Sequence, residues 1–163
     1  MARVIIALGS NLGDRRSHLS QARQYLESLS TTPLTLSSVY ETEPVGEVST
    51  HMFYNAVCMF ETDLEAMTLL EKIKTYEQEY GRDPSAPRWA NRTIDLDIID
   101  YDRQNIARQR LVVPHPEYEK RLFVLYPLQE VYPDWVDVRS GRHISALIEQ
   151  APKIGVFKTR VNW

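Results

Sequence analysis

Residues 88–99 read Arg-Trp-Ala-Asn-Arg-Thr-Ile-Asp-Leu-Asp-Ile-Ile, and the second half of this stretch has the spacing of a β-strand. Its branched apolar residues alternate with Asp95 and Asp97, which is the period-two pattern of a strand with one apolar face. The two carboxylates therefore project from the same face, with Cα atoms about 6.5–7 Å apart. At an effective dielectric constant of about 20, their repulsion costs about 2–3 kcal/mol, which a divalent cation would offset.

The residues before this strand favour a metal–polyphosphate site over a plain acidic surface. An Asp-x-Asp pattern alone fits a solvated sheet face at least as well as a metal site, because exposed carboxylates repel each other only weakly. Here Arg88 and Arg92 directly precede the strand, Arg82 lies upstream, and Trp89 lies among them. Carboxylates that hold a metal, guanidinium groups that hold anions and an aromatic plane together indicate such a site.

The composition narrows the class of protein. The 163 residues, 43% of them apolar, are enough for one domain that buries about 70% of its unfolded surface. A formal net charge of −3 argues against sequence-independent nucleic-acid binding. The single cysteine, Cys58, excludes an internal disulfide, fits a reducing compartment and lies in an apolar run that predicts a buried, inert thiol. No stretch approaches the ~20 apolar residues of a membrane span, so we expect a cytoplasmic protein without membrane or nucleic-acid partners, folded as one domain over 1–163.

The order of the predicted elements indicates an α+β fold. Apolar periodicity predicts strand–helix–strand–strand–helix–strand, the ferredoxin-like βαββαβ core of an antiparallel sheet with helices. We predict that the second helix opens with a capping box at 62–65 and ends at a left-handed Gly81. C-terminal elements are expected to extend the core and cover the sheet, in an order that does not follow from the sequence, and Pro127 limits any helix around 123–131. The predicted strands cover 3–8, 34–41, 53–61 and 93–101, the first helix begins near Ser17, and a turn at Ser140-Gly141 and a helix over 145–150 follow.

Phe53 and Asn55 are candidates for contacts with a flat ligand. They share one face of the third predicted strand, where an Asn is unfavourable unless its amide has hydrogen-bonding partners. Asn55 either satisfies loop backbone at the end of the strand or binds the polar edge of a heteroaromatic ring whose face meets Phe53. Phe123, taken alone, fits the core better.

A histidine and two arginines in the C-terminal third are candidates for phosphate binding. His115 lies between two prolines, and Arg110 and Arg121 flank it. Singly, they fit a turn histidine bonded to backbone and two solvated charges. Together they would form a cationic wall for phosphate groups, provided that they face Asp95 and Asp97.

Several short motifs along the chain form a set that covers nearly its whole length. They are Ala7-Leu-Gly-Ser-Asn-Leu-Gly13, Tyr40-Glu-Thr-Glu-Pro-Val-Gly46, Phe53-Tyr-Asn55, Gly81-Arg82, the stretch 88–99 and Val113-Pro-His-Pro116, with Arg121 and Phe123. The set resembles the hydroxymethyldihydropterin pyrophosphokinase family of folate biosynthesis. The Arg-x-x-Asp-Leu-Asp-Ile segment is its most specific part.

The resemblance implies that ATP donates its β,γ-pyrophosphoryl group to the hydroxymethyl oxygen of 6-hydroxymethyl-7,8-dihydropterin, with release of AMP. It implies that Asp95 and Asp97 hold two Mg²⁺ ions with ATP, and that Arg82 and Arg92 stabilise charge on the transferring and leaving groups. We also expect a monomer, a state that the sequence by itself does not settle. The implied pterin contacts are Thr42, Pro44, Val45, Phe53, Asn55 and Phe123. The implied nucleotide contacts are Glu77, Trp89, Arg92, Ile98, Arg110, His115 and Arg121.

Two other classes of protein stay open at this point. Another two-metal nucleotide-using enzyme on a ferredoxin-like fold would also place paired carboxylates on its sheet, but would need a basic channel for a primer or second nucleotide. A non-catalytic ligand-binding module would not need two metal-poised aspartates beside several arginines. The chain also departs from the family's usual pattern: Phe53 stands where tyrosine is common, Ala90-Asn91 where Gly-Pro is frequent, and Pro84 where some members have arginine.

Overall fold

The computed structural model describes residues 1–43, 52–81 and 93–163, which form an antiparallel sheet with helices on both faces. The strands among these residues are β1 (Ala2–Ser10), β2 (Thr35–Leu36), β3 (Tyr40–Thr42), β4 (Phe53–Thr62), β5 (Asp95–Tyr101), β6 (Ile106–Ala107), β7 (Val112–Val113) and β8 (Val156–Lys158). The helices are α1 (Arg15–Leu29), α2 (Ala66–Tyr80), α3 (Leu122–Val131) and α4 (Ile144–Gln150), with a 3-10 turn at Tyr118–Lys120.

The strands of the main sheet follow the order β5-β1-β4-β3-β8, and β2 also pairs with β4. Each of these pairings is antiparallel. The α+β class expected from the sequence is confirmed, and the spatial order of the first four predicted strands is that of a split βαβ arrangement. This order leaves β5, the strand that carries the aspartates, at one edge of the sheet.

The predicted strand over 34–41 is interrupted in the structure. β2 ends at Leu36, opposite position 58 of β4, and β3 begins at Tyr40, opposite position 55, so four steps along one strand face three along the other. The extra residue makes a β-bulge. At this bulge, Ser37 satisfies the backbone of Val57 in place of regular ladder bonds. Its N–H donates to the Val57 carbonyl at 2.9 Å, and its Oγ accepts from the Val57 N–H at 2.9 Å.

The capping box predicted at 62–65 is wrong. Thr62 is still part of β4, and its hydroxyl donates to the Leu29 carbonyl at 2.8 Å while accepting from the Leu64 N–H at 3.2 Å. Helix α2 begins after Glu65, which makes no side-chain capping bond. The hydroxyl that would cap the helix instead joins the end of α1 to the end of β4.

Gly81 ends α2 as predicted, but not in the predicted conformation. Its φ of −139° lies outside the left-handed region. A Cβ at this position would lie 2.0 Å from Cγ2 of Ile94, so the absence of a side chain is required by close packing. Gly81 therefore lets the end of α2 approach the start of β5.

Two apolar cores lie on the two faces of the sheet. One lies under α1 and α2 and includes Ile6, Leu26, Ile73 and Cys58. Cys58 is fully buried, and burial raises the pKa of its thiol, in keeping with the predicted inert role. The second core lies under α3 and α4 and contains Ile5, Val57, Ile99, Leu125 and Leu147.

Helix α3 forms in spite of Pro127, contrary to the limit predicted from the sequence. Pro127 lies inside the helix and is buried with Leu122, Leu125 and Leu128. Proline cannot donate to the carbonyl four residues earlier, which costs about 3 kcal/mol in a helix interior. Burial of a helix that is apolar on most of its surface offsets this cost.

The other C-terminal predictions are confirmed. Gly141 has φ +71° in the turn after Asp137, and α4 lies within one residue of the predicted 145–150. β8 extends the sheet beyond β3. Among the described residues, no helix combines the length and apolar content needed to span a bilayer.

Candidate active site

The two aspartates of β5 lie on one face, as the period-two pattern predicts. Asp95 is paired with Gly9 and Asp97 with Ala7 across the ladder to β1. Both carboxylates are half-buried, and Ile99, two residues further along the same face, lies in the core under α3. The aspartates therefore lie at the edge of the second apolar core, the one under α3 and α4.

Side chains of α2 cap the open edge of β5. In the described parts of the chain, no strand pairs with the outer side of β5, so the N–H and C=O of Leu96 face α2 there. Glu77 Oε2 accepts from the Leu96 N–H at 2.6 Å, and Lys74 Nζ donates to the Leu96 carbonyl at 2.9 Å. These two bonds connect α2 to the backbone unit that lies between the two aspartates.

The ammonium group of Lys74 interacts with the carboxyl groups of Asp97, Glu77 and Asp95. Its Nζ lies 3.0 Å from Glu77 Oε1 and 3.5 Å from Asp97 Oδ1. Burial lowers the pKa of Lys74, but the charges of Asp97, Glu77 and Asp95 outweigh it and leave the pKa raised. Lys74 is therefore a cation at neutral pH.

Glu77 is 1% exposed, which is unusual for a glutamate. Burial raises its pKa to about 8, with further raising by a side-chain hydrogen bond and the charge of Asp95, against the lowering effects of Lys74 and the Leu96 N–H. A hydrogen bond between two carboxyl groups requires that one of them carry a proton. Glu77 therefore holds its proton to a higher pH than an exposed glutamate does.

A polar row crosses the sheet from Asp95 to β3. Gly9 is paired with Asp95 on one side and with Asn55 on the other. Asn55 Nδ2 donates to Thr42 Oγ1 at 2.7 Å, and both side chains are buried. A Cβ on Gly9 would lie 3.1 Å from Asn55 Oδ1, so the glycine provides the space in which the amide oxygen lies.

The two phenylalanines predicted to hold a ring lie on different elements. Phe53 begins β4, is half-buried and has its Cδ1 3.8 Å from the position of a Gly9 Cβ. Phe123 lies in the first turn of α3, is partly buried against the second core, and has the Arg121 guanidinium carbon 5.8 Å from its ring centroid. The structure therefore brings Phe53 to the polar row and Phe123 to the N-terminal end of α3.

His115 lies within electrostatic reach of the two aspartates, and Arg121 lies within electrostatic reach of His115. Burial lowers the pKa of His115, the charges of Arg121 and Lys74 lower it further, and Asp97 and Asp95 oppose this. Its Nδ1 accepts from the Glu117 N–H at 3.1 Å, which leaves Nε2 as the protonated nitrogen of the neutral ring. Because the lowered pKa leaves the His115 ring neutral at pH 7, the positive charge here belongs to Arg121, and the cationic wall stays a prediction.

The side chains of Arg110 and Ile98 do not lie beside the aspartates, as direct contacts with a nucleotide would require. Arg110 is 63% exposed and lies 3.8 Å from Glu71 on α2, on the outer surface. Ile98 points into the core under α1 and α2, on the face opposite the aspartates. A contact between Ile98 and a nucleotide would therefore have to involve its backbone.

Five predicted site residues lie outside the described residues. They are Pro44, Val45, Arg82, Trp89 and Arg92. Glu43 and Met52 border one gap, and Gly81 and Thr93 border the other.

Lys74 and Gly9 lie against candidate site residues, but neither was predicted from the sequence. Lys74 and Glu77 follow Leu70 at helical spacing on the buried stripe of α2. Charged residues at positions where core residues are expected were therefore the sequence feature that could have indicated their role. For Gly9 the signal was weaker, because a glycine after a buried strand is more often a simple turn.

The donor set fits magnesium. Among the described residues, no group of three or more His, Cys, Asp and Glu has the geometry of a metal site. Two carboxylates on one face are too few for a structural zinc site, but Mg²⁺ is typically bound by one or two carboxylates plus water and substrate phosphates. Asp95 and Asp97 match this requirement.

Comparison with known proteins identifies the family. Residues 5–133 match the family model described as 7,8-dihydro-6-hydroxymethylpterin-pyrophosphokinase (HPPK). The chain belongs to this family. It is 45% identical to the 2-amino-4-hydroxy-6-hydroxymethyldihydropteridine pyrophosphokinase of Bacillus subtilis over 127 residues, covering 77% of this chain and 75% of the relative. It is 37% identical to the Pseudomonas aeruginosa protein of the same name over 155 residues, covering 94% of each.

Solved structures agree with the HPPK fold. Plasmodium falciparum HPPK-DHPS, solved as wild type with pteroate, matches with a TM-score of 0.72 at 14% identity over 91% of this chain. The same protein with pterin and p-hydroxybenzoate matches with a TM-score of 0.69 at 15% identity. The chain covers 44% and 41% of those two chains, so it spans less than half of their length.

Proposed function

We propose that this HPPK-family chain transfers the pyrophosphoryl group of ATP to 6-hydroxymethyl-7,8-dihydropterin, yielding the pterin diphosphate and AMP, a step of tetrahydrofolate biosynthesis. The proposal rests on family membership and on one structural observation. The row Asp95–Gly9–Asn55 joins, over three adjacent strands, a carboxylate suited to a metal and an amide suited to a pterin edge. Adjacent antiparallel strands lie about 4.8 Å apart, so this row spans about 10 Å, the scale of a pterin whose hydroxymethyl group faces the metal side.

Asp95 and Asp97 would hold two Mg²⁺ ions with ATP. Bound there, the ions would polarise the phosphoryl oxygens and help to deprotonate the attacking hydroxyl. The two aspartates orient the complex because the β1–β5 ladder holds their backbone. Glu77 and Lys74 add a second constraint by fixing the Leu96 peptide between them.

The remaining residues divide between the two substrates. His115 and Arg121 would bind phosphate oxygens beside the aspartates, and Arg110 would join them by leaving the exposed Glu71 pair. Arg82 and Arg92 would stabilise charge on the transferring and leaving groups. Phe53 and Phe123 would enclose the pterin ring. The other proposed contacts are Asn55, Thr42, Pro44 and Val45 with the pterin, and Glu77, Trp89 and the Ile98 backbone with the nucleotide.

The substrate test is a product assay. The protein is incubated with ATP, Mg²⁺ and 6-hydroxymethyl-7,8-dihydropterin, and nucleotides are separated by chromatography. We expect AMP and a pterin diphosphate in equal amounts. The matched control is 6-methyl-7,8-dihydropterin, which lacks the acceptor hydroxyl and should give no AMP. Production of ADP, or AMP formation that does not depend on the pterin hydroxyl, would refute the proposal.

We also infer that the chain acts as a cytoplasmic monomer with one domain. A single buried cysteine is compatible with a reducing compartment, and both helical layers pack on one sheet. Sedimentation velocity at micromolar concentration should give one species with the mass of a single chain.

A further inference from the structure

Lys74 makes an unusual set of contacts for a lysine on a helix surface. Its ammonium group donates to the Leu96 carbonyl and lies within 3.0 Å of Glu77 and 3.5 Å of Asp97. Its side chain is 34% exposed, so solvent reaches only part of it. The contact with Asp97 places a positive charge directly against one of the two aspartates assigned to the metal.

A cation in this position opposes the binding of a second cation. The ammonium and a divalent ion on Asp97 would be separated by little more than one carboxylate group, and their repulsion is only partly screened in a half-buried site. The aspartate pair would bind Mg²⁺ alone more weakly than two carboxylates without this neighbour. A triphosphate changes the balance, since its negative charges can accept both the metal and the ammonium group.

We propose that Lys74 is a built-in counter-ion of the aspartate pair, which weakens binding of free Mg²⁺ and makes metal loading depend on nucleotide. This inference rests on the proposed function, because it takes Asp95 and Asp97 as the metal-holding pair. Lys74 is then a positioning residue. It neutralises Asp97 in the absence of substrate and turns toward phosphate oxygens when the metal–nucleotide complex arrives.

A purely structural role for Lys74 makes a different prediction. If the ammonium group only satisfies the Leu96 carbonyl at the sheet edge, its removal would lower stability and leave metal affinity unchanged. The two roles therefore separate in a metal titration without nucleotide.

The experiment measures binding of Mn²⁺, a spectroscopic substitute for Mg²⁺, by the electron paramagnetic resonance signal of the free ion. Lys74→Gln should bind Mn²⁺ about tenfold more tightly than the wild type without nucleotide, since it removes one positive charge beside the site. Lys74→Arg, which keeps the charge, should remain within about twofold of the wild type. The matched control Lys72→Gln removes an exposed charge from the same helix and should also have little effect, because solvent screens it.

A second titration, with a non-hydrolysable ATP analogue, makes failure of this inference distinct from failure of the proposed function. The gain from Lys74→Gln should shrink, because the nucleotide supplies compensating charge, and Asp97→Asn should weaken Mn²⁺ binding in both backgrounds. If Asp97→Asn has no effect, the metal assignment and the proposed function both fail. If Asp97 matters but Lys74→Gln binds free Mn²⁺ no more tightly than the wild type, only the role of Lys74 fails.

Folding is checked on the same samples by circular dichroism. Lys74→Met, which keeps the aliphatic stem, replaces the glutamine variant in the titration if that variant does not fold. Thermal unfolding gives an independent measurement, since added Mg²⁺ should stabilise the neutral variant more than the wild type. Equal stabilisation of the two proteins would overturn the inference.

Discussion

Glu77 and Asp137 are both almost completely buried acids, but their surroundings differ in kind. Asp137 is met by donors: the Tyr118 hydroxyl donates to Oδ2, and the backbone N–H groups of Arg139 and Ser140 donate to Oδ1 at 2.6 and 3.3 Å. Glu77 is met by one backbone N–H, by Lys74 and by a second carboxyl group, Asp95. Both lie at 1–2% exposure, so burial alone does not distinguish them.

The difference indicates which region is built for stability and which for binding. A buried carboxylate whose oxygens are satisfied by nearby donors belongs to a structural network. Carboxyl groups placed against one another in a partly open site carry an unfavourable charge arrangement that a bound cation relieves. We therefore assign Tyr118 and Asp137 to a structural region, and Glu77, Asp95 and Asp97 to the proposed binding region.

The largest expected effect is at Asp97. Asp97→Asn keeps the shape of the side chain and removes half of the charge of the aspartate pair. We expect pyrophosphoryl transfer to fall by about 10²–10³-fold, which corresponds to about 3–4 kcal/mol of transition-state stabilisation, with little change in the free energy of unfolding. Steady-state kinetics and urea unfolding measure the two quantities. Asp63→Asn, at an exposed position, is the matched control. Normal turnover of the Asp97 variant would mean that the aspartate pair does not belong to a binding region.

Asp137 should show the opposite pattern. Asp137→Ala leaves the Tyr118 hydroxyl and two backbone N–H groups without their acceptor, so we expect the free energy of unfolding to fall by about 2–4 kcal/mol. The activity per folded molecule should stay within a few-fold of the wild type. Asp134→Ala, at a nearby exposed position, should change stability by less than about 0.5 kcal/mol. A large loss of turnover at unchanged stability would place Asp137 in the binding region instead.

Asp100 lies on the same strand as the aspartate pair. The effect of its ionisation on stability gives a test based on pH of how this chain treats a buried carboxyl group. Burial raises its pKa to about 6, although the Arg103 N–H and charge lower it. The folded state thus holds the proton more tightly than the unfolded chain, whose aspartates have a pKa near 3.8. The contribution to stability is present in full below pH 3.8 and is lost as the pH rises through 6.

Asp100→Asn should therefore be more stable than the wild type at pH 7.5, by about 1–3 kcal/mol, with the difference vanishing near pH 4. Asparagine can still accept from the Arg103 N–H. Because Glu77 titrates over part of the same range, the measured quantity is the difference between the two unfolding curves at each pH. A constant difference from pH 4 to 7.5 would contradict the assignment.

The smallest expected effect is at Gly9 in the binding region. Gly9→Ala places a methyl group 3.1 Å from Asn55 Oδ1, so the amide must shift. We expect pterin affinity to fall by about fivefold, equivalent to about 1 kcal/mol. The double variant with Asn55→Ala should lose less than the sum of the two single variants, because the amide that the methyl group displaces is already gone. Strict additivity in titration calorimetry would mean that Gly9 and Asn55 do not act together.

Much of the fold follows from local sequence patterns. The period-two alternation predicted β5 and the shared face of Asp95 and Asp97, and helical spacing predicted α1 and α2. The errors arose where tertiary contacts compete with a local preference. Thr62 uses its hydroxyl to join two elements, Pro127 is tolerated because its helix is buried, and Ser37 enters the backbone ladder at a bulge.

In the candidate site, too, some features follow from local sequence patterns and others from tertiary contacts. Local spacing determined which residues share a strand face, because successive side chains on a strand alternate between faces whatever the neighbouring strands are. The neighbours of those residues depend on strand register and helix docking. Gly9 lies between Asp95 and Asn55 through pairings between strands dozens of residues apart in the chain. Asp97 contacts Lys74 because α2 docks along the outer edge of β5. Register and docking minimise the free energy of the whole chain, so no local stretch of sequence contains them.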